Sequence, residues 1–314
     1  MKPYLVTGGA GFIGSHLVEH LVGLGHSVRV LDNFLTGRRE NLTAVRDRIE
    51  LIEGDLRDLK TVRQAVEGCG CIFHVGALPS VPRSVAEPML SHEINVTGTL
   101  NVVLAARDAG GVRVVFSSSS SVYGDTPTLP KHERLTPQPR SPYAVHKLTG
   151  EQYCRVFTEL FGVPTISLRY FNVFGPRQDP QSQYAAVIPR FITRMLADER
   201  PVIFGDGYQT RDFSYVENVV RANVAASVAP ADAFGRVVNI ACGGRTSLRE
   251  LVATINDILG KRIEPVFEPP RAGDVRDSQA DVSEAAALLG WKPTVAFAEG
   301  IRRTIEWYRL NRAP

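Results

Sequence analysis

The chain has 314 residues, 44% hydrophobic and 22% charged, with a net charge of +3; this is ordinary for a globular protein with a large core, in two domains or in one with a substantial cap. No basic run points to nucleic acid or a membrane surface, no apolar run approaches a membrane span, and the apolar stretch at the N-terminus is too short for a signal peptide. The four cysteines, Cys69, Cys71, Cys154 and Cys242, indicate neither a disulfide framework nor a zinc knuckle, and read as free thiols of a cytoplasmic protein. In chain order, Pro3 to Thr7 reads as a short buried strand, followed by the glycine turn Gly8-Gly9-Ala10-Gly11-Phe12-Ile13-Gly14. Ser15 to Leu24 has the apolar spacing of a helix, with Leu17, Leu21 and Leu24 on one stripe, and Ser27 to Leu31 is a second strand ending at Asp32.

The alternation continues. Ile49 to Glu53 is a predicted strand, Leu59 to Val66 a helix, Cys71 to Val75 a strand, Asn95 to Ala109 a helix and Arg113 to Ser117 a strand. A helix carrying Tyr143 precedes the strand Thr165 to Arg169. Repeated strand-then-helix units predict an α/β fold, a Rossmann-type doubly wound parallel sheet with ligands at the carboxyl ends of its strands. Beyond residue 172 the pattern loosens, and Phe174 to Tyr184 reads as an irregular loop. Val187 to Leu196, Leu248 to Leu259, Val282 to Leu289 and Phe297 to Leu310 read as helices, and Arg236 to Ile240 as a buried strand. The expected division is 1–172 plus 216–242 for a cofactor-binding domain, and 173–215 plus 243–314 for a smaller α/β substrate-binding cap.

Gly8, Gly11 and Gly14 form G-x-x-G-x-x-G between a strand and a helix. Glycines allow a tight turn and close backbone approach, and the helix N-terminus offers free N–H groups to a pyrophosphate. Asp32 stands where a carboxylate would bind the cofactor ribose, and it would repel a 2′-phosphate. NAD is therefore expected over NADP, with Arg38 and Arg39 as the counter-argument. Asp55, after the third strand, either reaches the adenine or caps the next helix. His16-Leu17-Val18-Glu19-His20 matches a zinc-hydrolase pattern, but it lies on the helix that must pack against the sheet, so no metal is expected.

Tyr143 and Lys147 are four residues apart and share a helix face. An ammonium beside a phenol favours the phenolate, which predicts a lowered tyrosine pKa and a base able to take an alcohol proton.

Taken together, the glycine turn, Asp32, the Ser-rich strand end and Tyr143-x-x-x-Lys147 resemble the extended short-chain dehydrogenase/reductase family over nearly the whole chain. Within it, the stretches 77–84, 169–180 and 184–189 resemble the UDP-galactose (UDP-glucose) 4-epimerases, above all the subgroup acting on UDP-N-acetylglucosamine and UDP-N-acetylgalactosamine. The resemblance implies a catalytic set of Ser119, Tyr143 and Lys147. It implies an NAD site of Gly8, Gly11, Phe12, Ile13, Gly14, Asp32, Asn33, Asp55, Leu56, Tyr143, Lys147 and Tyr170. It further implies a nucleotide-sugar site of Ser80, Ser119, Tyr143, Asn172, Ala186, Val187, Phe204, Arg211, Arg271, Asp274 and Ser278. In the implied reaction Tyr143 takes the C4 hydroxyl proton while hydride passes to NAD, the 4-keto sugar rotates, and hydride returns to its other face.

Family 4,6-dehydratases resemble Thr-Asp-Glu before Val-Tyr-Gly, and UDP-xylose-forming decarboxylases resemble Ser-Glu-Val-Tyr-Gly. Here those positions hold Ser119, Ser120 and Ser121, so the additional acids are missing. Ser278 falls where a tyrosine closes the sugar pocket of stricter epimerases, and Ala186 replaces an asparagine; both leave room for an N-acetyl group. A UDP-glucuronate 4-epimerase, with Arg177 or Arg83 meeting the carboxylate, another nucleotide-sugar enzyme and a non-catalytic NAD-binding scaffold remain as alternatives. A homodimer pairing the helices 95–109 and the Tyr143 helix is also implied.

Overall fold

In the computed structural model, which describes residues 2–180, 186–270 and 276–311, seven parallel strands form the central sheet. They are β1 (Tyr4–Thr7), β2 (Val28–Asp32), β3 (Ile49–Glu53), β4 (Cys71–His74), β5 (Arg113–Ser119), β6 (Thr165–Tyr170) and β7 (Arg236–Ile240), in the spatial order β7-β6-β5-β4-β1-β2-β3. The order reverses between β1 and β4, which opens a crevice at their carboxyl ends.

Alternation along each strand divides its side chains between two apolar layers. Val6, Val30, Phe73 and Val115 join Leu17 and Leu21 of the first helix (Phe12–Gly23) and Val219 and Ala222 of the helix Val216–Ser227. Their neighbours Leu5, Leu31, Ile72, Val114 and Phe116 face the other way, onto Val62, Val66, Val102, Ala106 and Phe157 from three helices. Each such side chain contributes roughly 1.5–3 kcal/mol on burial, so both faces of the sheet are held by apolar packing.

Two differences from the sequence reading have local causes. Residues 216–227 form a helix that apolar spacing does not signal, because Asn218 and Asn223 are buried in it alongside the valines. The helix expected from Asn95 is part of a longer helical run beginning at Pro88, whose Glu93–Thr97 turn is a π-helix. Continuous with the first of these layers, the helices Val187–Leu196, Leu248–Leu259 and Phe297–Leu310 pack together, beside a parallel pair of short strands, Val202–Phe204 and Val266–Glu268.

Candidate active site

The glycine turn closes because its glycines lack side chains. Gly8 sits at φ +66°, and a Cβ there would lie 2.6 Å from the Cα of Gly76. A Cβ on Gly14 would meet the Gly8 carbonyl oxygen at 2.1 Å. The helix that follows is capped by Gly11 without any side-chain hydrogen bond, so its first amides are left for a ligand. Phe12 and Ile13 open that helix and lean on the core. Asp32 is buried at the end of β2, where its carboxylate accepts the Ala10 N–H at 2.9 Å and the Phe34 N–H at 2.8 Å. Burial pushes its pKa up, against those two hydrogen bonds. Gly37 lies against it, since a Cβ there would stand 2.9 Å from Oδ1. Such a cradle, bounded by bare backbone and one carboxylate, fits a dinucleotide.

The two arginines that argued for a 2′-phosphate are engaged elsewhere. Arg38 pairs with Asp179 at 2.9 Å; Arg39 pairs with Glu53 and stacks on Phe34 at 3.9 Å. Asp55 does not cap the next helix, because Asp58 does. Instead Asp55 accepts from Asn33 at 2.8 Å and from Arg57, which holds its carboxyl down at about 2. Leu56 packs its side chain where Gly76 and Gly98 have none. Tyr170 gives its hydroxyl to a buried network with Ser117 and Asn223, both at 2.9 Å, so that hydroxyl is committed to the core.

Tyr143 and Lys147 sit in the helix Pro142–Phe161, which Ser141 caps by accepting the Ala144 N–H at 3.2 Å. Gly150 lets this helix press onto β5, where a Cβ would reach 2.4 Å from the Phe116 ring. The Tyr143 phenol is thereby buried beside the Ser119 side chain at the end of β5. Ser119 also caps the short turn Ser120–Tyr123, accepting the Ser121 N–H at 3.2 Å.

The expected lowering of the phenol pKa is not found in the protein alone. Burial pushes Tyr143 up to about 12, opposed by the Ser119 hydrogen bond. Lys147 Nζ lies 5.8 Å from the ring centre and donates to the Ser117 carbonyl at 2.7 Å. Burial lowers Lys147 itself to about 8, against the charge of Glu151. Desolvation therefore outweighs the distant ammonium.

Across the crevice, Asn172, Ala186, Val187, Phe204 and Arg211 line one cleft of about 280 Å³, together with Arg190, Gln209 and Phe213. Asn172 has a positive φ of 35° and donates to the Asp212 carbonyl at 3.2 Å. Arg211 donates to the carbonyls of Thr210 and Arg276. Ser278 does not line this cleft: it is buried beside it, its N–H on the Thr210 carbonyl at 3.1 Å. Ser80 caps the short helix Val81–Ala86, with φ +96° and its hydroxyl accepting the Arg83 N–H. Arg271 and Asp274 lie outside the described residues.

Among the residues that escaped the sequence reading are Gln209, Phe213 and Ser84. Gln209 and Phe213 flank Arg211 in the cleft, a proximity that the motif around Arg211 could have signalled. Ser84 accepts the Tyr143 N–H at 3.0 Å and anchors the start of its helix. Of the two arginines proposed to meet a uronate carboxylate, Arg83 pairs with Glu87 and Arg177 with Glu19. The histidine pattern also finds its use here. His16 bonds the Pro176 carbonyl at 3.0 Å while Glu19 holds Arg177, so together they fasten the loop after Phe174. Among the described residues, no three His, Cys, Asp or Glu side chains gather to hold a metal.

A bare-backbone cradle at the switch point of a parallel sheet, with a phenol and a serine facing it, is the equipment of a dinucleotide-dependent enzyme. Residues 4–241 match the NAD dependent epimerase/dehydratase family, and the chain belongs to it; NAD is its cofactor. It is 43% identical over 309 residues to a UDP-glucose 4-epimerase of Mycolicibacterium smegmatis, spanning 97% of this chain and 98% of that protein. Among solved structures it resembles a UDP-N-acetylglucosamine 4-epimerase from Methanobrevibacter ruminantium in complex with UDP-N-acetylmuramic acid, with a TM-score of 0.94, 39% identity and 99% of each chain covered. It is likewise similar to a UDP-glucose 4-epimerase with UDP-glucose from Thermotoga maritima, with a TM-score of 0.93, 38% identity, and 98% and 99% of the two chains covered.

Proposed function

We propose that this enzyme is a UDP-hexose 4-epimerase, inverting C4 of UDP-glucose and UDP-galactose and also accepting their N-acetylated counterparts. One observation carries the reading: the Tyr143 phenol is buried beside Ser119 at the carboxyl end of β5, and the two positions after Ser119 hold serines rather than acids. Residues 1–172 with 216–242 hold the cofactor, and 173–215 with 243–314 hold the nucleotide sugar. NAD, when bound, supplies reversible hydride acceptance and a positive ring that adds to the Lys147 charge beside the phenol.

Ser119 bonds the sugar 4-oxygen and passes its proton toward Tyr143, which acts as base and returns the proton to that same oxygen when the 4-keto sugar, turned over, is reduced on its opposite face. Lys147 keeps the phenolate within reach of neutral pH once a second cation joins it. The diphosphate is gripped by Arg211 and by Asn172, and the uracil packs on Phe204. With no carboxylic acid at 120 or 121, no group is placed to expel the C6 hydroxyl, so the oxidised sugar is only reduced again.

The test is to incubate the protein with UDP-glucose, UDP-N-acetylglucosamine or UDP-glucuronate and to follow the sugar by proton NMR. Equilibration of the first two with their C4 epimers is expected. Conversion of UDP-glucuronate alone, release of carbon dioxide, or steady NADH consumption would refute the assignment. Tyr143→Phe should lower turnover at least about 100-fold while NAD binding persists.

A further inference from the structure

Beneath the glycine turn lies a chain of hydrogen bonds that the reaction does not use. Thr7, at the end of β1, and Thr99 flank His74, at the end of β4, and all three are buried. His74 Nδ1 is 2.8 Å from the Thr7 hydroxyl and Nε2 is 2.9 Å from the Thr99 hydroxyl. We propose that Thr7, His74 and Thr99 are positioning residues whose one-way hydrogen-bond chain sets the distance between the glycine turn and the Gly76–Leu78 segment, and with it the affinity for NAD. The proposal rests on the reading of the glycine turn as the NAD cradle.

The polarity of the chain follows from its ends. Thr99 donates its only hydroxyl proton to the Asn95 carbonyl at 2.7 Å. It must therefore accept from His74, which makes the ring the Nε2–H tautomer. Nδ1 is then an acceptor, and the Thr7 hydroxyl donates to it. That leaves the Thr7 oxygen to accept the Gly76 N–H, at 3.1 Å. A protonated ring would leave the Thr7 proton without a partner, and burial together with the Lys147 charge holds the imidazole down at about 3.

Gly76 is the residue that Gly8 touches, so this hydrogen bond fixes the closest contact between the two loops. The other end of the chain fixes the same segment. Asn95 accepts the Leu78 N–H at 2.7 Å and donates to the Leu78 carbonyl at 3.0 Å. The π-helical turn at Glu93–Thr97 is what carries Asn95 there. Gly76 and Leu78 are thus hung from opposite ends of one histidine, two residues short of Ser80.

The experiment is calorimetric titration of NAD into wild type, Thr7→Val and Thr7→Ser. Valine keeps the shape but loses the hydroxyl, so its Kd should rise about tenfold, whereas serine should stay within about threefold of wild type. If Thr7→Val does not fold, Thr99→Val and Thr99→Ser make the same comparison from the far end, with the same ordering expected. Equal affinities in the valine and serine variants would overturn the inference while leaving the NAD cradle intact. Failure of wild type to bind NAD would overturn the cradle reading instead. Nitrogen-15 NMR of the His74 ring judges the chain independently: the Nε2–H tautomer is expected, and the Nδ1–H tautomer or an imidazolium at neutral pH would overturn it.

Discussion

At the scale of single residues, Lys147 shows a conflict between function and stability. Its ammonium is buried with one carbonyl partner, and its pKa falls from 10.5 to about 8. Between those values the unfolded chain binds more protons than the folded one, so stability rises with pH across the window and the full burial cost is present below it. That cost is roughly 3 kcal/mol, offset in part by the bond to Ser117. Lys147→Met should therefore abolish turnover yet melt no lower than wild type at pH 7 without added NAD. Its advantage should shrink by pH 10. Melting scans at both pH values check this, and a clear loss of stability at pH 7 would contradict it.

At the scale of elements, the Tyr143 helix owes its place to a missing side chain. Gly150→Ala would push a methyl into Phe116, an overpacking that costs about 1–3 kcal/mol. The helix would lift from β5 and carry the phenol away from Ser119. Steady-state kinetics should show kcat falling more than tenfold, and NAD affinity falling by less than kcat, because the glycine turn lies on other strands and only Tyr143 and Lys147 of the NAD site move. A weakened NAD affinity with normal kcat would show the coupling to be different.

Elements with one clean apolar period were legible in the sequence: the helices Val187–Leu196 and Leu248–Leu259 and the strand Arg236–Ile240 stand at the residues read from it. The helix Val216–Ser227 was not, because its buried asparagines serve other segments. The Asn218 side chain, for example, bonds backbone groups at Thr294 and Val295, and its carbonyl accepts the Trp291 indole N–H. In the site, the glycine turn was legible because the spacing of Gly8, Gly11 and Gly14 carries it, whereas Ser119 came only from the family resemblance. The pKa of Tyr143 was not legible, since it depends on how deeply the phenol is buried and on where the Lys147 ammonium points. Nor does a motif position say that Ser278 is buried beside the cleft, with its N–H on the Thr210 carbonyl, and not among the residues that line it.

At the scale of the molecule, Asp212 ties distant segments together around the nucleotide cleft. Wholly buried, its carboxylate accepts the N–H groups of Cys242 at 2.9 Å, Gly243 at 3.0 Å and Ala280 at 3.1 Å, while its neighbours Arg211 and Phe213 line the cleft. Asp212→Ala would strand three buried donors, each worth about 1–3 kcal/mol. A fall in Tm of more than about 5 °C is expected, with KM for the nucleotide sugar raised and NAD affinity kept. Calorimetry and initial rates would decide, and an unchanged KM would remove Asp212 from the account of the cleft.

The strand order has a consequence for how the protein is made. β6, buried along its length, pairs on one side with β5 and on the other with β7, whose residues follow it in the chain by more than 60 positions. On the ribosome, the whole glycine turn, the Tyr143 helix and six strands emerge while that edge is still open. An open apolar edge is a template for another copy of the same nascent chain. The first 172 residues, although they carry every proposed catalytic group, are therefore a hazard by themselves, and the enzyme becomes safe from its own siblings only when Ile240 has left the exit tunnel.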